Sequence, residues 1–404
     1  MVGNRAATGH AGSDTRSAVG GRIRALRLRQ GMNQRELAER AHYDKSYVSM
    51  IERGQRLVDS RSTLERFAQA LGVPPSELTG EPYPAADRDQ AIGHAAAPAL
   101  RAVLRDIELG VPPAPDLRSV RELRLEVAAI REQSSACDYA AYAPIVPAVI
   151  TELHMLAQTS GQARRLLGYA LQTSFYLAKD LGHGDLAWQI AGHLHSTAQA
   201  IGEPRWVGLA DFIRSHAMVG DGARQRAFEL SDRAAEGLEG AGADPVQGML
   251  HLSAALHAAA LRQPEQSREH LWEARVIAQR TGETDFAELW FGPRNVGVWG
   301  VALAVEAGDG GRARELARSV DVDGMPSAGR RATFYADLGR GMATDPATRA
   351  QAVSTLRQAE SLAPQRIQAN FYVRETVEQL LGERLPRDAA RALRGMATRM
   401  GLTA

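Results

Sequence analysis

Cysteine, lysine and long apolar runs are scarce in this sequence of 404 residues, and each scarcity removes a class of protein. The single cysteine, Cys137, cannot close an internal disulfide, so a disulfide-stapled fold is excluded and a reducing compartment fits. A buried structural thiol is expected there, because a redox sensor needs a lowered pKa. No apolar stretch approaches the roughly 20 residues that cross a bilayer. The longest, Ala143 to Ile150, is broken by Pro144 and Pro147. The chain opens without the apolar segment of a signal peptide, so a cytoplasmic location and no membrane partner are expected. Lysine occurs only as Lys45 and Lys179, and the formal net charge is only +1, so any nucleic-acid surface has to be local.

Catalytic and metal-binding groupings are also missing. His193 and His195 stand two apart on an expected helix and face different sides, His251 and His257 are no better spaced, and the HExxH, P-loop and paired-cysteine patterns do not occur. No enzyme activity, cofactor or metal is therefore expected.

What the sequence does hold is a dense helical pattern in two textures. Its length exceeds what one core usually organises, and 44% hydrophobic residues suffice for two. Residues 1–17 are small, polar and glycine-rich, which predicts a disordered tail. Gly31 to Gly54 then reads as two short helices joined by a tight turn. Asn33 and Glu36 have the spacing of a capping box, with Leu37, Ala38 and Ala41 as the apolar side of the first helix. Asp44 is placed to cap the second, which turns Val48 and Ile51 inward and stops at Gly54. Its outward side carries Lys45, Ser46, Tyr47, Ser49, Met50 and Arg53. Between Gly20 and Gly80, eleven Arg and Lys face seven Asp and Glu, the local basic excess that a DNA-binding surface needs.

The pattern N-Q-x-x-L-A-x-x-A, a turn, then S-Y-V-S-x-I-E-R-G resembles the helix-turn-helix of the phage-repressor and Xre family of DNA-binding proteins. Ile23 to Gln30 matches that family's first helix, and Ser62 to Gly80 matches its fourth and fifth. The resemblance implies a five-helix reader at 18–80, a partner of double-stranded DNA, and an ion pair between Arg27 and Glu52 that holds the reader together. It implies base contacts from Asp44, Lys45, Ser46 and Met50, and a phosphate-clamping, buttressing role for Gln34. Arg53, Gln55 and Arg56 are expected on the DNA backbone. Ser49 and Tyr47 are expected at flanking phosphates, with packing the competing role for Tyr47.

Beyond the reader, 81–116 reads as a linker and connecting helix, Glu81 to Ala86 and Val111 to Asp116 being rich in proline. Residues 117–404 are alanine-rich, amphipathic and without a strand pattern, in helices that pair across short Gly, Asp or Pro connections. Similar openings at Ala187, Ala227, Ala313 and Ala352 lie 40, 86 and 39 residues apart, a unit of about forty residues. Pairs of this kind stack into a tetratricopeptide-like solenoid with a concave wall. The expected fold class is thus all-α, a lambda-repressor-like reader followed by a helical solenoid.

Phe291 to Asp309, with the stretches SAGRRATFYADLGRGMA and Ala363 to Arg366, resembles the tetratricopeptide-like tails joined to Xre readers in regulators of high-GC Gram-positive bacteria. That group's pattern carries a His at Trp299 or beside it, so a shared ligand does not follow. Trp290, Phe291, Arg294, Asn295 and Trp299 combine aromatic walls with polar fixers, as ligand clefts do, and Asn370 could extend them. Packing of large aromatics is the competing role. The resulting expectation is a homodimeric transcriptional regulator whose tail senses a small molecule, a peptide or a protein partner. The alternative is a repeat scaffold with subordinate DNA binding.

Overall fold

The computed structural model describes residues 18–110 and 117–402. The glycine-rich start and the proline-rich stretch from Val111 to Asp116 lie outside the described residues. No strand occurs among the described residues, and no helix of theirs is long and apolar enough to cross a membrane.

The reader comprises α1 (Ala18–Arg29), α2 (Gln34–Ala41), α3 (Lys45–Glu52), α4 (Arg61–Leu71) and α5 (Pro75–Thr79). Ile23, Leu37, Val48, Ile51, Phe67 and Leu78 form its core. The expected capping box is present: Asn33 Oδ1 accepts from Arg35 N and Glu36 N at 2.8 and 3.1 Å, and Asn33 N donates to Glu36 Oε2 at 2.8 Å. His42 takes the left-handed conformation that ends α2, and Gly54, at φ 67°, follows the end of α3 as its sequence predicts. Asp44 stands at the cap position of α3, but its side chain makes no capping bond and remains exposed.

Next comes α6 (Arg88–Glu108), expected as a connector; its Ala96, Ala97, Leu100 and Leu104 enter the core of the tail. The tail continues with α7 (Val120–Ser135), α8 (Tyr139–Tyr142), α9 (Val146–Ala157), α10 (Gly161–Asp180) and α11 (Gly184–Ile201). Then follow α12 (Pro204–Ala217), α13 (Arg224–Glu236), α14 (Asp244–Ala260), α15 (Pro264–Thr281), α16 (Pro293–Glu306) and α17 (Gly310–Ala317). The last are α18 (Ala328–Ala343), α19 (Arg349–Leu362), α20 (Pro364–Gln368), α21 (Phe371–Leu381) and α22 (Arg387–Arg399).

Two stretches of the tail are interrupted. Around Pro144 and Pro147 the chain leaves helix between α8 and α9, and Asn370 caps α21 by accepting from Val373 N at 3.1 Å, separating it from α20.

From α10 to α19 the helices pair antiparallel, α10 with α11 through α18 with α19. Each pair leaves one apolar side that the next pair covers, which is why the stack propagates. The first helices of successive pairs, α10, α12, α14, α16 and α18, lie side by side along the inner wall. The coil then closes on itself. Tyr139 N donates to Gln365 Oε1 at 2.9 Å, Arg366 reaches Asp180 at 3.4 Å, and Gln90 Nε2 donates to Gln368 Oε1 at 2.7 Å. The inner wall therefore bounds a cavity.

Candidate nucleic-acid interface and internal cavity

The start of α3 projects from the reader with Asp44, Lys45 and Ser46 exposed, and Ser49 and Met50 half-buried one turn on. Val48 and Ile51, both fully buried, and Glu52 behind them fix that rotation of the helix. Arg53, Gln55 and Arg56 are exposed at its end, Arg53 folding back so that its Nε donates to Ser49 O at 3.1 Å. Tyr47 sits apart from this row. Its ring stacks on Tyr43 at 4.4 Å and under the Arg56 guanidinium at 4.8 Å, and it lines a cleft between reader and tail.

Behind α3 lies the ion pair that the resemblance implied. Arg27 Nε and Nη2 donate to the two carboxylate oxygens of Glu52 at 2.6 and 2.9 Å, and Gln34 Nε2 donates to the same carboxylate at 2.9 Å. The hydrogen bonds to Glu52 raise the Arg27 guanidinium above its ordinary value although burial opposes this. Three helices, α1, α2 and α3, are thus fastened at one point, and Gln34 is oriented by it.

The reader is docked on the tail through α4 and α5, and Phe371 of α21 packs into its core. Glu306, at the end of α16, is 7% exposed. Its carboxylate accepts from Arg61 Nη1 and from Ser62 N, both at 3.1 Å. A carboxylate at a helix N-terminus meets both unpaired amides and the positive end of the dipole. Alongside, Arg224 Nε donates to Glu65 at 2.5 Å, Arg262 Nε to Ser62 Oγ at 3.0 Å, and Arg340 Nη2 to Asp59 O at 2.9 Å. None of these seam residues was singled out from sequence. Their partners lie 159 or more residues away, and no local pattern marks such a pairing.

Behind the seam is the cavity of about 260 Å³. Its wall includes Arg61 from the reader, Arg224 from the seam, and Trp290, Trp299, Arg330 and Arg366 from the inner face of the coil. Of the residues predicted as a ligand cleft, Trp290 and Trp299 line it. Asn295 stands directly behind, its Oδ1 accepting from Arg330 Nε and Nη2 at 3.1 and 2.5 Å. The other three lie outside. Phe291 is fully buried against Gly248, Arg294 pairs outward with Asp321 at 2.8 Å, and Asn370 is the cap of α21.

Burial and nearby cations hold the His216 imidazole down at about 3, and His257 well below its ordinary value. Both are therefore neutral at pH 7. Burial pushes the Cys137 thiol up, matching a structural thiol. Ser253 lies 3.2 Å from His257 Nε2, but the far side of that ring meets Arg224 at 3.5 Å. A guanidinium cannot steady an imidazolium, so this pair lacks what nucleophilic catalysis requires. Among the described residues, no cluster of three or more His, Cys, Asp or Glu is arranged for a metal.

Residues 18–79 match the family model described as a helix-turn-helix domain. An immunity repressor protein of Bacillus phage phi105 is 46% identical over 63 residues, covering 16% of this chain and 43% of the repressor. The chain thus spans less than half the length of that relative. An uncharacterized HTH-type transcriptional regulator of Sinorhizobium fredii is 40% identical over 65 residues, 16% of this chain and 83% of that protein. Among solved structures, Bacillus thuringiensis PlcR in complex with the peptide PapR7 and DNA is similar over 65% of this chain and 95% of its own, at 17% identity. Its TM-score is 0.26, too low to transfer anything to this chain. On the geometry of residues 18–79 and their match to these relatives, the chain belongs to the helix-turn-helix family, with a coil of paired helices behind that domain.

Proposed function

We propose that the tail controls this regulator by holding its reader through a seam that shares a wall with the internal cavity. The observation that carries the reading is the position of Arg61 and Arg224. Both line the cavity, and both belong to the ion pairs that dock the reader, Arg61 to Glu306 and Arg224 to Glu65. A molecule entering the cavity competes for or reinforces those contacts, and so biases how the reader is held.

In this reading the start of α3 enters the major groove. Lys45 suits a guanine edge, Asp44 meets a base beside it, Ser46 is permissive, and Met50 makes apolar contact with a thymine methyl. Gln34, Ser49, Arg53, Gln55 and Arg56 meet phosphates. Tyr47, stacked on Tyr43, acts by packing. One such reader covers few base pairs, so two copies of the chain would act together on half-sites about one helical turn, roughly 34–36 Å, apart. The regulator would then work in the cytoplasm, where its DNA is. A gel shift against a duplex selected from random sequence, with Glu306→Ala beside the natural chain, tests the control. Equal affinity and equal half-site spacing preference in the two would sink it.

A further inference from the structure

We propose that the cavity binds a small planar, apolar anion, its carboxylate or phosphate group paired with Arg330 and its ring against Trp299. This rests on the reading of the tail as a sensor and names what it senses. Five cations line the cavity: Arg61, Lys179, Arg224, Arg330 and Arg366. Four are ion-paired, Arg61 to Glu306, Lys179 and Arg366 to Asp180, and Arg224 to Glu65. The remaining lining carboxylates are also taken, Asp337 by Arg340 and Glu288 by Arg131.

Arg330 differs from the other four in having no carboxylate within ion-pair distance among the described residues. Its Nε and Nη2 share one neutral acceptor, Asn295 Oδ1, whose amide group is in turn fixed by donating to Leu289 O at 2.9 Å. A guanidinium presents five N–H groups in a fork that fits a carboxylate or phosphate, and here part of that fork has no protein partner. Burial and the neighbouring Arg366 hold Arg330 down at about 10, the mark of a cation short of counter-charge.

The walls say what else the ligand carries. The Trp299 ring lies 5.3 Å from the Arg330 guanidinium carbon, and neither the Trp299 nor the Trp290 indole N–H has an acceptor. Indole can only donate, so these two groups are donors left for a ligand's acceptor. Phe212, Leu289 and Val298 add apolar surface beside the two indoles. At about 260 Å³ the space falls just below the common range of roughly 300–1,000 Å³ for small-molecule sites, which favours a ring-sized ligand over a peptide.

The test uses the full chain and 2-naphthoate, with 2-naphthamide as its neutral counterpart, followed by titration calorimetry and tryptophan fluorescence. Saturable binding of naphthoate is expected, roughly tenfold or more tighter than the amide, the weight of one charged hydrogen bond. Arg330→Gln keeps a donor for Asn295 and should bring naphthoate to the level of the amide; Trp299→Leu should weaken both. Equal affinities for acid and amide, no binding at millimolar concentration, or full naphthoate affinity in Arg330→Gln each overturn the site. If Arg330→Gln misfolds, the acid-against-amide comparison on the natural chain decides alone. Duplex affinity is read separately. A change caused by Glu306→Ala without any probe supports control by the tail even when naphthoate fails, and bound naphthoate with no effect on duplex binding overturns sensing while the site stands.

Discussion

Replacing Glu306 by alanine should loosen the reader's seat on the tail without unfolding either. The carboxylate is buried between an arginine and the first amides of α4, with its oxygens 3.1 Å from both Arg61 Nη1 and Ser62 N. Its removal leaves the Arg61 guanidinium without a counter-charge and one helix amide without an acceptor. Breaking a buried pair from one side costs about 3–5 kcal/mol. The core of the reader, Val19 to Leu78 together with Phe371 of the tail, does not include this residue, so the loss falls on the seam. Opening of the seam should become more frequent by roughly two orders of magnitude or more, at about 1.4 kcal/mol per factor of ten. Amide hydrogen exchange reads this at Ser62 to Arg66, which should exchange faster while the amides of α3 do not. Glu306→Gln keeps the oxygen that accepts from Ser62 and should lose less. Adding Arg61→Ala to Glu306→Ala removes the stranded charge and should recover part of the loss, a coupling of about 1–3 kcal/mol. Unchanged exchange at Ser62 to Arg66 in Glu306→Ala would refute the docking role.

Three further outcomes are expected. Arg27→Ala leaves the buried Glu52 carboxylate with Gln34 as its remaining side-chain partner, destabilising the reader by about 3–5 kcal/mol in chemical denaturation; a loss under about 1 kcal/mol would contradict the three-helix fastening. Gly248→Val drives a side chain into the Phe291 ring, which already lies 2.0 Å from where the first added carbon would sit, so a fall in melting temperature larger than that of Gly184→Val, which meets open space, is expected. His257 is neutral when folded and binds a proton near pH 6.5 when unfolded, so its contribution is complete above that pH and is lost as pH falls below it. His257→Asn should therefore flatten the acid-side decline in stability by roughly 1.4 kcal/mol for each pH unit below about 6.5. Parallel pH curves for the two would show that the ring is not buried neutral.

The reader was legible in the sequence because everything that shapes it is local. Asn33 and Glu36 are three residues apart, Val48 and Ile51 share one side of a single helix, and Gly54 ends it. Asp44 marks the limit: its position as a cap residue is readable, but whether its side chain turns back to the helix is settled by packing. The tail was legible as helix pairs for the same reason, its breaks at Gly, Asp and Pro being local. Its closure was not. Arg366 meets Asp180 and Tyr139 meets Gln365 across separations that no periodicity encodes. Hence the aromatic segment around Trp299 could be noticed, while Arg330, the cation beside it without a carboxylate, could not be told from the many arginines of the chain. Phe291 shows the reverse error of such reading: an aromatic beside a glycine-rich helix is as well suited to filling the space that Gly248 leaves.

The most direct measurement is the affinity of the full chain for a duplex selected from random sequence, with and without Lys45→Ala and Arg53→Ala together, across a range of salt. Loss of Lys45 should cost about 1–3 kcal/mol and relax preference at one base pair, and loss of Arg53 should weaken all duplexes alike and reduce the salt slope by about one. Undiminished affinity and unchanged base preference in the double variant would mean that the exposed row on α3 does not meet DNA.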